Sequence, residues 1–348
     1  MRVRRSAAAF VVVVGLLLVG GSSVAAAQPV ASTYAYGARS NSAAVAARLA
    51  QPPAGFTGGA VTASDGEQVT IYVQSDLAAA DPSIAQRWAD MVTSLVHGPE
   101  ISTIEIYVAS LDRVQQTCGS QALGCYAHNR LIAMATDLPT ISARAVLTHE
   151  YGHHVAESSD NTPWAAVDYG PKRWSTVVGV CSRTESGELA PGDEGSRYTL
   201  NPGEAFAEDY RVLNERRQGL PETFWGVVDR RFYPDQATLD AVALDVTSPW
   251  HGPTTSTLTS SFTPRATGRG FRVATPLDGT FRVTLTSPSK TQFTLRVVDP
   301  ASGKELGSSI VSGRVKAVET SVCGERTLQV QVKRQRGSGS FSLAVARP

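Results

Sequence analysis

The run His149-Glu150-Tyr151-Gly152-His153 constrains this chain more than any other part of its 348 residues. Two histidines four positions apart lie on one side of a helix, about one turn from each other, so both imidazoles can grip a single ion. Glu150 follows the first histidine and is placed to hold a water on that ion and take its proton, which makes it a general base rather than a ligand. The segment therefore has to be helical. An amphipathic helix is predicted from about Ile141 to Glu157, with Thr140 as N-cap and Ala145, Val146, Tyr151 and Val155 among its apolar positions.

A catalytic zinc site has three protein ligands and one open position, so a second element must supply the third ligand. In the extended spacing H-E-x-x-H-x-x-G-x-x-H, the positions of the glycine and third histidine are held here by Ala156 and Ser159. A G-T-x-D segment that would offer an aspartate is also missing after His153. Further along the chain stands Asn201-Pro202-Gly203-Glu204-Ala205-Phe206-Ala207-Glu208, in which Asn201 is a good N-cap and Pro202 a good first helical residue. Glu204 and Glu208 share one face of that helix. Glu204 can reach the metal while Glu208 accepts a hydrogen bond from a ligand imidazole, and the exchanged assignment is the alternative. His154 points about a hundred degrees away from the ligand face, and His97, His128 and His251 are not expected to be ligands.

Met1 to Ala27 has the layout of a signal peptide: Arg2, Arg4 and Arg5, an apolar run from Ala7 to Gly20, then Ala25-Ala26-Ala27. Cleavage near Ala27 leaves no transmembrane span and directs the chain outside the cell. With 32 basic and 31 acidic residues the charge is balanced, which argues against nucleic acid or an anionic membrane as partner. In an oxidising compartment the four cysteines are expected as disulfides. Three pairings are possible. Cys118 with Cys125, around the turn-like 119–124, and Cys181 with Cys323 are favoured.

Strands are predicted at Val69–Val73, Ile104–Val108 and Leu131–Ala135, and a helix at Pro82–Val96. Beyond residue 250 helical periodicity gives way to short alternating segments such as Phe281–Leu285 and Leu328–Val332, the pattern of an antiparallel β-sandwich. The expected class is α+β: a signal peptide (1–27), a lead-in or short pro-segment (28–55), a catalytic domain of small sheet plus two site helices (56–250), a Thr/Ser-rich linker (251–265) and a sandwich (266–348). Trp164, Trp174 and Tyr169 are read as core.

H-E-x-x-H followed by a helix carrying E-x-x-A-E resembles the gluzincin metallopeptidases, whose fold is zincin-like. The stretch Tyr198–Arg211 is similar to the catalytic domain of anthrax lethal factor and its relatives. The resemblance implies Zn2+ on His149, His153 and Glu204, Glu150 as base, and Tyr198 hydrogen-bonding the oxyanion. It also implies a peptide or protein substrate lying as an added strand on Leu131–Ala135. Cys323–Val330 and Gly337–Leu343 resemble the bacterial pre-peptidase C-terminal domain, a small sandwich without chemistry of its own. The competing expectation is a secreted binding protein whose zinc site is vestigial or structural.

Overall fold

Val69, Ile71 and Val73 alternate with more exposed neighbours and bury one face of a strand, the period-two pattern of a sheet covered on one side. The computed structural model describes residues 35–37, 54–309 and 315–348; the expected signal peptide and almost all of the lead-in lie outside the described residues. The first part of the chain gives β1 (Ala35–Gly37), β2 (Phe56–Thr62), β3 (Gln68–Gln74), α1 (Ser75–Ala80), α2 (Ile84–Thr93), β4 (Glu105–Ala109), α3 (Leu111–Cys118), β5 (Ala122–Ala127) and β6 (Arg130–Met134). These strands form one sheet in the order β1-β5-β6-β4-β3-β2. β3, β4 and β6 run parallel, β2 is antiparallel to β3 and β5 to β6, and β1 lies parallel to β5.

The segment 119–124, read from the sequence as a turn, only partly is one: its second half opens β5. The turn into β6 is His128-Asn129, both with positive φ (46° and 62°), as a two-residue hairpin turn requires.

The next elements are α4 (Ala143–Glu157), three short helices α5 (Ala166–Tyr169), α6 (Lys172–Val178) and α7 (Val180–Glu185), then α8 (Pro202–Arg217) and α9 (Gln236–Thr247). The N-cap of α4 is Ser142, whose hydroxyl accepts from Ala145 N–H, rather than Thr140. Leu138 and Ile141 hydrogen-bond to each other in a bridge that keeps the chain out of the helix until Ser142. Nor is α4 amphipathic. It is buried on every side, between the sheet and α8, and such a helix shows no polar stripe. Gly152 permits the crossing: a Cβ there would sit 2.9 Å from Ala207 Cα on α8.

The last part of the chain folds as two four-stranded antiparallel sheets, β11-β10-β13-β8 and β12-β9-β14-β7. Their strands are β7 (Thr254–Phe262), β8 (Gly268–Thr275), β9 (Gly279–Thr286), β10 (Gln292–Val298), β11 (Glu305–Ser309), β12 (Val315–Val322), β13 (Arg326–Arg336) and β14 (Gly339–Arg347). Phe262, Phe281, Phe293 and Phe341 meet in a core separate from that of the first sheet. Most of the expected linker 251–265 is in fact β7, paired along its length with β14. Its threonines suit a strand by β-branching, and its largely exposed faces carry no apolar alternation for a sequence pattern to detect.

Both favoured disulfides are present, Cys118–Cys125 and Cys181–Cys323, and no cysteine among the described residues is free. No helix among the described residues is long and apolar enough to cross a membrane. The architecture is thus mixed α+β with an antiparallel β-sandwich portion.

Candidate metal centre

Asn201 begins α8 as the sequence requires: its side chain accepts from Gly203 N–H and Pro202 fills the first helical position. That start sets the rotation of α8 against α4, and Glu204 comes to face both histidines. Glu204 Oε2 lies 3.3 Å from His149 Nε2 and 3.5 Å from His153 Nε2. In a tetrahedral site with ligand bonds of about 2.0–2.1 Å, neighbouring donors stand about 3.3 Å apart, so this spacing fits an ion held between them. The two imidazoles are 5.0 Å apart and nearly perpendicular (85°). His149, His153 and Glu204 could hold a metal ion.

Glu208, one turn further along α8, accepts from His149 Nδ1 at 2.9 Å and so fixes Nε2 as the nitrogen turned toward Glu204. Arg211 in turn grips Glu208, donating from Nη2 to Oε2 at 2.5 Å, and reaches Glu215 Oε2 at 2.6 Å. Burial opposes charge on Glu208, yet Arg211 and His149 hold its carboxyl down at about 2. For His149, burial likewise works against the cation, but Glu204 and Glu208 push the imidazole up to about 10. Glu204 is held well below the usual carboxylate range, against its own burial, by the two histidines. This cluster attracts positive charge strongly.

Glu150 stands apart from that pattern. It is fully buried, and neither carboxyl oxygen has a hydrogen-bond partner among the described residues. Burial pushes its carboxyl up to about 8, with Glu204 and Glu208 adding to the rise against the pull of His149. Its side chain rests on Gly124 of β5, where a Cβ would meet Glu150 Cγ and Oε1 at 2.9 Å. Tyr198 lies in the 3-10 turn Tyr198–Leu200 before α8, and its hydroxyl donates to Glu204 Oε2 at 2.6 Å. Burial lifts that phenol well above its ordinary value.

Of the other histidines, His154 is buried, with Nδ1 3.2 Å from Tyr126 OH and Nε2 2.9 Å from the Glu100 carbonyl, so it ties α4 to its surroundings. His97, His128 and His251 do not join the cluster. Trp174 is core, donating from Nε1 to Asp209 Oδ2, whereas Trp164 and Tyr169, expected there too, are only half-buried and stack on each other. Sequence reasoning missed Arg211, although its place three residues after Glu208 on one helix was a usable signal. It also missed Gly124, whose role depends on a contact no local pattern encodes. The strand expected to pair with substrate, β6, is hydrogen-bonded on both sides, to β5 and β4, and has no edge to offer.

No family model matches this chain, and none of the curated proteins matches it. Among solved structures, the C-terminal region is weakly similar to the pre-peptidase C-terminal domain of a collagenase from Bacillus anthracis. The TM-score is 0.24 and the identity 10%, over 26% of this chain and 87% of that one. The chain is also similar to the Aeromonas hydrophila periplasmic inhibitor of g-type lysozyme (TM-score 0.23, 18% identity, 27% and 86% covered). A third likeness is to the Yersinia pseudotuberculosis-derived mitogen (TM-score 0.23, 13% identity, 28% and 87% covered). Likenesses of this size carry no argument about activity, and the functional reading rests on the site alone.

Proposed function

We propose that the protein is a secreted zinc-dependent metallopeptidase of gluzincin type, with a zincin-like catalytic domain ahead of the sandwich. The observation that carries the reading is Glu150: a carboxylate buried without a partner is costly, and this one stands beside two histidines and a glutamate spaced for a tetrahedral ion. His149, His153 and Glu204 would hold the zinc, which supplies Lewis acidity toward a water and a scissile carbonyl. Glu150 would take the proton of the attacking water and deliver it to the leaving amine, a role for which its carboxyl is left free of hydrogen-bond partners among the described residues. Glu208, braced by Arg211, keeps His149 in the tautomer that presents Nε2. Tyr198, whose hydroxyl donates to Glu204 Oε2, would have to turn from it to donate to the oxygen on which charge develops. The disulfides and the signal-like N-terminus support an extracellular setting.

A structural zinc site would call for a fourth protein ligand, and the cluster offers three among the described residues. Glu150→Gln separates the enzyme from a binding protein. The variant should bind zinc as the wild type does while hydrolysis of a mixed peptide library falls by about 10²–10⁴-fold. Undiminished hydrolysis would reject the assignment of the base.

A further inference from the structure

α4 and α8 run antiparallel: Gly152 meets Ala207, and Arg144 at the start of α4 meets Gln218 just past the end of α8. Between these two ends and the segment 220–223 lies a cavity of about 440 Å³, a size at which small-molecule sites are found. Its wall includes Arg144, Ala145, Glu215, Gln218, Leu220 and Thr223. His149, His153 and Glu204 take no part in that wall and have no exposed surface, so the cavity is a place separate from the metal centre.

The carboxylates around this cavity are answered, and its arginine is not. Glu215 is gripped by Arg211 at 2.6 Å, and the exposed Glu222 is paired with Arg216. Asp137 is exposed and accepts from Ala143 N–H. Arg144 is half-buried. Its guanidinium donates to Gln218 Oε1 and Ser94 Oγ, both neutral, and it forms no ion pair among the described residues. Burial draws the Arg144 guanidinium down from its ordinary value, against the pull of Glu215. A planar guanidinium that has lost part of its water without gaining an anion is suited to a carboxylate, and Ala145, Leu220 and Pro221 beside it offer apolar surface to whatever carries that group.

The same wall is the outer end of the brace on His149. Thr223 donates to Glu215 through its N–H (3.0 Å) and Oγ1 (2.6 Å), Glu215 holds Arg211, Arg211 holds Glu208, and Glu208 orients His149. We propose that this cavity binds a carboxylate carried on a small apolar body, with Arg144 as its anchor, and that its occupation is felt at the metal centre. A free acid and the last residue of a peptide both present that group. An ion that fixes His149 also fixes Glu208, Arg211 and Glu215, so the ligand has less to order when it enters. The coupling is reciprocal: the factor by which the ion tightens the acid is the factor by which the acid tightens the ion. This coupling rests on zinc at His149, as the peptidase reading has it, whereas the carboxylate site does not.

The test is ligand-observed NMR on the full chain, zinc-free and zinc-loaded, with N-acetyl-leucine as probe. The acid should bind with a Kd on the order of millimolar or tighter, as expected for a ligand of its size. N-acetyl-leucinamide, which has the same body without the charge, should bind about tenfold more weakly or not at all. Arg144→Met keeps the apolar stem and should weaken the acid by about tenfold or more. Leu220→Asp, at an exposed position outside the core, should weaken it too by setting a like charge at the rim. Competition by acetyl-Ala-Ala-Leu on the zinc-free chain separates the sources: displacement admits a peptide C-terminus, and none confines the site to free acids. Equal binding of acid and amide, inorganic phosphate binding as tightly as the acid, or an affinity unchanged in both variants overturns the site. Zinc should tighten the acid by about fivefold or more, and equal affinity with and without zinc in a chain that holds zinc overturns the coupling. A chain that binds no zinc overturns the metal reading instead, and leaves the carboxylate site to be decided by the zinc-free measurements.

Discussion

Glu208 never touches the proposed ion, yet its carboxylate decides which nitrogen of His149 the ion meets. One oxygen accepts from Nδ1, and the other is held by Arg211, which is itself anchored to Glu215. A buried chain of alternating charges of this kind is weak evidence for stability, because desolvation consumes much of its Coulombic gain. Its value lies in orientation. Glu208→Gln keeps the size of the side chain but removes the charge that faces Arg211. Zinc affinity should fall by about 10–100-fold, the usual effect of losing the partner of a ligand histidine, as read by competition with a chelating dye. A change below twofold would mean that packing alone holds His149 in place.

Among the elements, the contact between α4 and α8 carries the site, because the histidines lie on one and Glu204 on the other. Gly152 and Ala207 are the closest point of that crossing. Gly152→Ala forces the helix backbones apart, at a cost of roughly 1–3 kcal/mol for overpacking, against about 1 kcal/mol gained by removing a helical glycine. The balance should lower Tm, and zinc affinity should fall with it; Gly152→Val, without the same gain in propensity, should be worse. Both helices were legible in the sequence for reasons that are local: a ligand spacing for α4, an Asn-Pro start for α8. β5 was not. Ala122, Gly124 and Ala127 carry little β propensity and lie next to a cysteine-bracketed loop, and the glycine that looks like a turn signal makes room for Glu150. β7 hid for the opposite reason, being a good strand former with hardly any buried face. Strand order was equally beyond a local pattern, and it is strand order that leaves β6 between β5 and β4 without a free edge.

At the scale of the whole molecule, the two cores meet at a seam in which a lysine is buried. Lys172 on α6 donates to the carbonyls of Thr162 (2.8 Å) and Asp278 (3.1 Å) and lies 4.5 Å from the ring centre of Trp250. Asp278 N–H reaches back to Thr176 Oγ1, and the Cys181–Cys323 bridge joins α7 to the sandwich beside them. Burial pushes the Lys172 ammonium down from 10.5 to about 8, against the pull of Asp278, Asp160 and Asp245. At pH 7 the lysine is protonated in both the folded and unfolded chain, so the cost of burying its charge is fully present. Between pH 8 and 10.5 the folded chain releases a proton that the unfolded chain still binds, and stability rises with pH. At about 1.4 kcal/mol per unit the shift corresponds to roughly 3 kcal/mol. Lys172→Met carries no titrating group at this position, so the difference in unfolding free energy between wild type and variant isolates the effect. Measured by urea denaturation, that difference should move in favour of the wild type from pH 7 to pH 10, and the described cysteines, all paired, offer no free thiol to complicate the alkaline end. A difference that stays flat, or moves toward the variant, would show that water reaches Lys172 and that the seam is looser than its contacts imply.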